Sequence, residues 1–96
     1  MNRKKKYAQD LLGIICNVSK DKKLLNDFLI DLLTPTEYDD IMVRWQIIKQ
    51  LHQGISQRKI AKDLGVSIAT ITRGSRELLD EKGGFKQVLK IYEERF

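Results

Sequence analysis

One stretch, residues 56–75, constrains the fold of this 96-residue chain more than any other: SQRKIAKDLGVSIATITRGS. Ser56 opens a short apolar-periodic run, Gly65 closes it, and Ser67 opens a second run. Each serine holds an N-cap position, where its hydroxyl accepts a first-turn amide, and the glycine permits the left-handed turn between the runs. Ile60, Leu64, Val66 and Ile71 are the inward apolar positions, and Ala61 is small where two helices would approach. A shift of one residue breaks this pattern. The joint demand for small, apolar and glycine at these offsets describes a helix-turn-helix.

The remainder of the chain is helical in pattern and has no useful strand alternation. Ala8, Leu11, Leu12, Ile15 and Val18 mark a first amphipathic helix, and Leu24, Leu25, Phe28, Leu29 and Leu32 a second. Thr34-Pro35-Thr36-Glu37 sets the start of a third, with a Thr cap, a Pro at the first helical position and a reciprocal Glu. Its body turns Tyr38, Ile41, Met42, Trp45, Ile48 and Leu51 inward and stops at Gly54. At 1.5 Å per residue it is roughly 28 Å long. A last helix follows Lys82-Gly83-Gly84, with Phe85, Val88, Leu89 and Tyr92 inward. The expectation is a single all-α domain over 1–96. It comprises a disordered basic arm at 1–6, dimerisation helices at 7–54, the helix-turn-helix at 56–79 and a C-terminal helix at 85–96. So short a chain buries a small share of its surface, and the long apolar stripes of the first three helices predict a homodimer with a shared core.

Charge is unevenly spread. Residues 24–40 hold five acids and no base, whereas residues 56–76 hold Arg58, Lys59, Lys62, Arg73 and Arg76 against Asp63 alone. A local excess of this kind suits a polyanion, because each Lys or Arg that neutralises a phosphate releases counterions. A solvated helix face is the plain alternative, in which case the chain is an all-α protein-interaction module. An enzyme is not expected: His52 is the single histidine, Cys16 the single cysteine, and no nucleophile-base order or metal cluster can be assembled. Cys16 is expected as a small buried residue and His52 near a helix end. Nothing reads as a signal peptide or a membrane span, so the chain is expected in the cytoplasm, without membrane contact.

On a wheel of the second helix of the motif, Ile71, Ser75, Leu78 and Leu79 lie on one side, and Ala69, Thr70, Thr72, Arg73 and Arg76 on the other. Such helices enter the major groove of double-stranded DNA by their N-terminal residues. The outward Ile68, Ala69 and Thr70 are short enough there to approach a thymine methyl or a bridging water. Arg58, on the first helix, is the best candidate for a bidentate guanine contact. Gln57, Lys62, Ser67, Thr70 and Thr72 suit phosphates or waters and would set register. Arg73-Gly74 does not fit a plain reader, because a glycine stands where a large apolar residue is usual. A missing side chain leaves a hole or a site.

At these residues the chain resembles a known family. LLTPTEYDDIMVRWQIIKQLHQG followed by SQRKIAKDLGVSIATITRGS is similar to the bacterial Trp repressor family over residues 32 to about 79, and the run IATITRGS is highly specific to it. The first helix pair and the last helix are similar in pattern only. The resemblance implies an intertwined all-α homodimer in which L-tryptophan, as corepressor, binds between subunits and fixes the angle of the reading heads on an operator. It implies that Arg73 of one subunit pairs with the ligand carboxylate, that Arg44 of the other covers the opposite face of the indole, that Gly74 leaves room for the ring and that Ile48 packs its edge. The ammonium would meet the carbonyl end of the partner's second helix, from Asp31 to Leu33, with Thr34 close to the carboxylate. Arginine suits a carboxylate and stacks on an indole, and a helix C-terminus favours a cation.

The chain departs from the family at three places. Glu77 stands where a small residue is usual; it can grip the ammonium, or repel the carboxylate and change the ligand. Between Gly54 and Ser56 the chain is one residue shorter. Ala61 and Arg76 replace family residues near the DNA, so the operator does not carry over. A DNA-binding regulator of the same fold that needs no ligand, or a different one, therefore stands beside the tryptophan-gated repressor.

Overall fold

The computed structural model describes residues 2–95, and all regular structure among them is helical. The helices are α1 (Asn2–Val18), α2 (Lys22–Leu32), α3 (Pro35–His52), α4 (Gln57–Leu64), α5 (Ile68–Leu78) and α6 (Gly84–Arg95). The chain divides into two compact units, Met1–Tyr38 and Asp39–Phe96.

In the first unit α1 packs on α2. Asp21 caps α2, its carboxylate accepting from the Leu24 amide at 3.1 Å. The capping box at the start of α3 forms as its sequence requires: Thr34 Oγ1 accepts from the Glu37 amide at 3.1 Å, and Glu37 Oε1 accepts from the Thr34 amide at 2.8 Å. Residues 2–6, expected as a disordered arm, instead begin α1. The run from Asn2 to Leu12 has no proline, glycine or β-branched residue, and Lys and Arg are good helix formers. Met1 and Phe96 lie outside the described residues. Neither α1 nor α2 has a buried residue. Cys16, expected inside, is exposed for this reason. Leu11, Leu12, Leu24 and Leu32, also expected inward, are exposed in the single chain.

The second unit has its own core. Ile47, Ile60 and Ile71 are buried, with Val43, Leu51, Ile55, Ala61, Leu64 and Val66 packed around them. The α3 face that enters this core overlaps the expected one, since Leu51 packs there, and Ile48, also expected inward, is fully buried. Val43, Ile47 and Leu51 lie on it, whereas Ile41 and Met42 are about half exposed, at 50% and 47%. Ile41 and Met42 are the part of the expected stripe left uncovered in the single chain. Trp45 meets Tyr92 of α6 edge to face, ring centroids 6.0 Å apart. His52, the last residue of α3, hydrogen-bonds through Nε2 to the Glu93 carboxylate of α6. On α6, Leu89 is buried but Val88 is exposed. Leu79, expected inward on α5, is 77% exposed because the helix ends there and Leu79 forms its C-cap.

Two glycines set the chain path into the helix-turn-helix. Gly54, at φ 83°, closes α3 in a Schellman motif: its amide donates to Leu51 O at 3.0 Å and the Ile55 amide to Gln50 O at 3.1 Å. Gly65, at φ 67°, turns the chain from α4 toward α5, and a side chain there would be strained.

Candidate functional site

The helix-turn-helix is fixed by its caps and its core. Ser56 Oγ accepts from the Lys59 amide at 3.2 Å, and Ser67 Oγ from the Thr70 amide at 3.2 Å. Ile60 and Ile71 are 0% exposed, one from each helix, and they hold α4 against α5. The first turn of α5 is presented outward as expected: Ile68, Ala69 and Thr70 are all exposed.

The structure separates the expected DNA-contacting side chains by how free they are. Arg58 and Lys62 are exposed on α4, and Gln57 is half-buried at its first position. Lys59 is already engaged, its Nζ 3.0 Å from Asp63 Oδ2 one turn on. Ser67 and Thr70 hydroxyls bond to one another at 2.9 Å. Thr72 donates its hydroxyl proton to Ile68 O at 3.0 Å and is half-buried, so its own helix holds the donor it would offer to a phosphate. It retains acceptor capacity only, which a phosphate does not need.

Within the second unit α3 and α5 border a partly open cavity of about 640 Å³, inside the range of roughly 300–1,000 Å³ usual for small-molecule sites. From α3 its wall takes Val43, Arg44, Ile47 and Ile48; from α5 it takes Thr70, Arg73, Gly74 and Glu77. Four of the residues named from the resemblance, Arg44, Ile48, Arg73 and Gly74, are thus brought to one cavity, together with Glu77, which departs from the family. Arg44 and Arg73 line it within a single chain, whereas the resemblance divided them between two protomers. Asp31, Leu33 and Thr34 belong to the first unit, at the end of α2 and the cap of α3. Gly74 has a use the sequence did not suggest. A Cβ there would stand 3.0 Å from Ile47 Cγ2 and 3.4 Å from Ile48 Cδ1, so the glycine permits close approach of α5 to α3.

Asp39, Asp40, Val66 and Phe85 also line the cavity and were not expected at a ligand site. Asp40 was findable, four residues before Arg44 on the same face of α3. Phe85 was read only as a core residue of the last helix, and nothing in its spacing pointed elsewhere.

Comparison with known proteins agrees with the fold and the motif. A profile described as Trp repressor protein matches residues 7–93. The chain belongs to the Trp repressor family. A Trp operon repressor homolog of Aliivibrio salmonicida strain LFI1238 is 39% identical over 98 residues, covering 95% of this chain and 90% of that protein. A Trp operon repressor homolog of Vibrio parahaemolyticus serotype O3:K6 is 42% identical over 74 residues, covering 76% and 72%. The homolog of the same name from Chlamydia trachomatis serovar D is 39% identical over 77 residues, covering 79% and 82%. The Trp repressor family consists of DNA-binding transcriptional regulators, not enzymes, and the helix-turn-helix of α4 and α5 is the element that membership assigns to DNA. No helix among the described residues is long and apolar enough to cross a membrane.

Proposed function

We propose that this chain is a repressor whose grip on a double-stranded DNA operator is activated by L-tryptophan, acting in the cytoplasm as a homodimer and controlling tryptophan biosynthesis or uptake. The observation that carries the reading is the cavity: two guanidiniums, an apolar wall and a glycine meet directly behind the reading helix. Thr70 belongs both to the cavity wall and to the exposed first turn of α5. A ligand there bears on the helix that meets DNA, and differential binding to the DNA-competent arrangement would raise operator affinity.

In this reading Arg73 takes the ligand carboxylate, Arg44 lies over the indole, and Ile48 and Gly74 shape the ring's edge. The partner subunit supplies the remaining groups through its α2 end. Helix α2 leaves terminal carbonyls around Asp31 and Leu33 open to an ammonium. Thr34 accepts from Glu37 but keeps its own O–H to donate to a carboxylate. The dimer follows from α1 and α2, which bury nothing alone while Tyr7, Leu12 and Ile30 are exposed. On the DNA face Arg58 reads a base edge, Ile68 and Ala69 meet apolar groups in the groove, and Gln57, Lys62, Ser67, Thr70 and Thr72 set register on phosphates and waters, Thr72 through a water.

Isothermal titration with L-tryptophan, beside an Arg73→Ala variant, tests the reading. One saturable site per subunit, abolished in the variant, is expected. A folded wild type that retains DNA but ignores tryptophan would replace it with the ligand-independent regulator.

A further inference from the structure

We infer that Glu77 makes the cavity selective for a zwitterion: it is the residue that demands an ammonium on the ligand and turns away indole acids that lack one. The inference rests on the corepressor reading above and concerns the same cavity.

The charges around the cavity are of both signs. Arg44 and Arg73 face it, and so do Asp39, Asp40 and Glu77. The ion pairs among the described residues join Lys23 to Asp27, His52 to Glu93, Lys59 to Asp63 and Lys86 to Glu81, so none of these five has an ion-pair partner among those residues. With three carboxylates against two guanidiniums, a lone anion is not the complement of this wall. A molecule that carries both charges is.

Position singles out Glu77 among the three acids. It stands one turn after Arg73 on the same face of α5, where side chains four apart have Cβ atoms about 5–6 Å from each other. That order, base before acid, is the weaker one for an ion pair along a helix, and the two are not joined here. An α-amino acid carries its carboxylate and ammonium on one carbon. When the carboxylate sits on Arg73, the ammonium lies within reach of the next turn, where Glu77 is. A ligand with the same ring and carboxylate but no ammonium leaves Glu77 facing an anion without a counter-charge, which costs binding twice, through repulsion and through lost solvation.

The test is isothermal titration of wild type and Glu77→Gln with L-tryptophan and with indole-3-propionate, which keeps ring and carboxylate and lacks the ammonium. Wild type is expected to prefer tryptophan. In Glu77→Gln tryptophan weakens, indole-3-propionate strengthens, and the preference shrinks about tenfold or more, the effect of one charge-assisted hydrogen bond. Circular dichroism checks folding, and Glu77→Ala serves if the amide variant is unstable. A preference unchanged in both variants overturns the inference while leaving the corepressor reading intact, as does a wild type that binds indole-3-propionate as tightly as tryptophan. A folded wild type that binds no tryptophan overturns both.

Discussion

The helix pair α1–α2 and the helix pair α4–α5 are written in the same apolar periodicity and meet different fates. α4 and α5 bury Ile60 and Ile71 completely within one chain, whereas α1 and α2 bury no residue at all. Periodicity says that a helix has an apolar face and not what will cover it. For α4–α5 the cover lies in the neighbouring α3, tied on by Gly54 and Ile55. The apolar faces of α1 and α2 hold no buried residue, and a second copy is the economical cover for them.

Removing the core side chain tests the first half of that contrast with the largest expected effect. Ile60→Ala should cost about 2–5 kcal/mol, a large share of a small domain's total stability, as read from urea unfolding. Leu12→Ala, the same chemistry on a residue 55% exposed, should cost little in dilute monomer and progressively more as protein concentration rises. Equal, concentration-independent costs for the two variants would erase the distinction between self-covered and partner-covered faces.

A charge sharpens the second half. Leu12→Asp places an unpaired carboxylate on the exposed apolar face of α1, where burial against a second copy would desolvate it. Sedimentation equilibrium is expected to move from dimer to monomer. The second unit should keep its helical signal at concentrations where wild type is already dimeric. A variant that remains dimeric would place the interface elsewhere on the chain.

How much of this was legible beforehand follows the same divide. The caps at Ser56 and Ser67, the turn at Gly65 and the isoleucines between them could be read because each is local: a hydrogen bond over three residues, a positive φ, a one-turn spacing. The capping box at Thr34 is legible for the same reason. What could not be read was that Val43 and Ile47 of α3 enter the core while Ile41 and Met42 do not. Apolar residues occur on more than one side of this helix, and only the positions of α4 and α5 decide which of them the core covers. Gly74 is a similar case. Its sequence context marks a missing side chain, but the atoms that need the space, Ile47 Cγ2 and Ile48 Cδ1, come from another helix. The cavity was legible through its arginines, and through Asp40 one turn before Arg44, but not through Asp39 or Phe85, which carry no motif of their own.

On the DNA face the contrast is between side chains that are free and side chains already engaged. Arg58→Ala should weaken specific binding by about 1–3 kcal/mol and relax the preference at one base pair, measured by titration against operator variants. A uniform loss across all sequences would reassign Arg58 to the phosphate backbone.

The smallest expected effect is a difference between two lysines three residues apart. Lys62 is exposed and has no acidic partner among the described residues, so Lys62→Ala should lower the slope of log K against log salt by about one, as expected when one phosphate is no longer neutralised. Lys59 is held 3.0 Å from Asp63, which already supplies its counter-charge, and releases fewer counterions on meeting DNA. Lys59→Ala should therefore change the slope by less. Because an exposed pair of this kind contributes only about 0.3–0.5 kcal/mol, its folding stability should hardly move. If the two variants shift the slope equally, the Lys59–Asp63 pair opens on DNA, and Asp63 then stands as an unpaired anion beside the phosphates. In that case Asp63→Asn should tighten binding at low salt, an outcome the engaged pair does not predict.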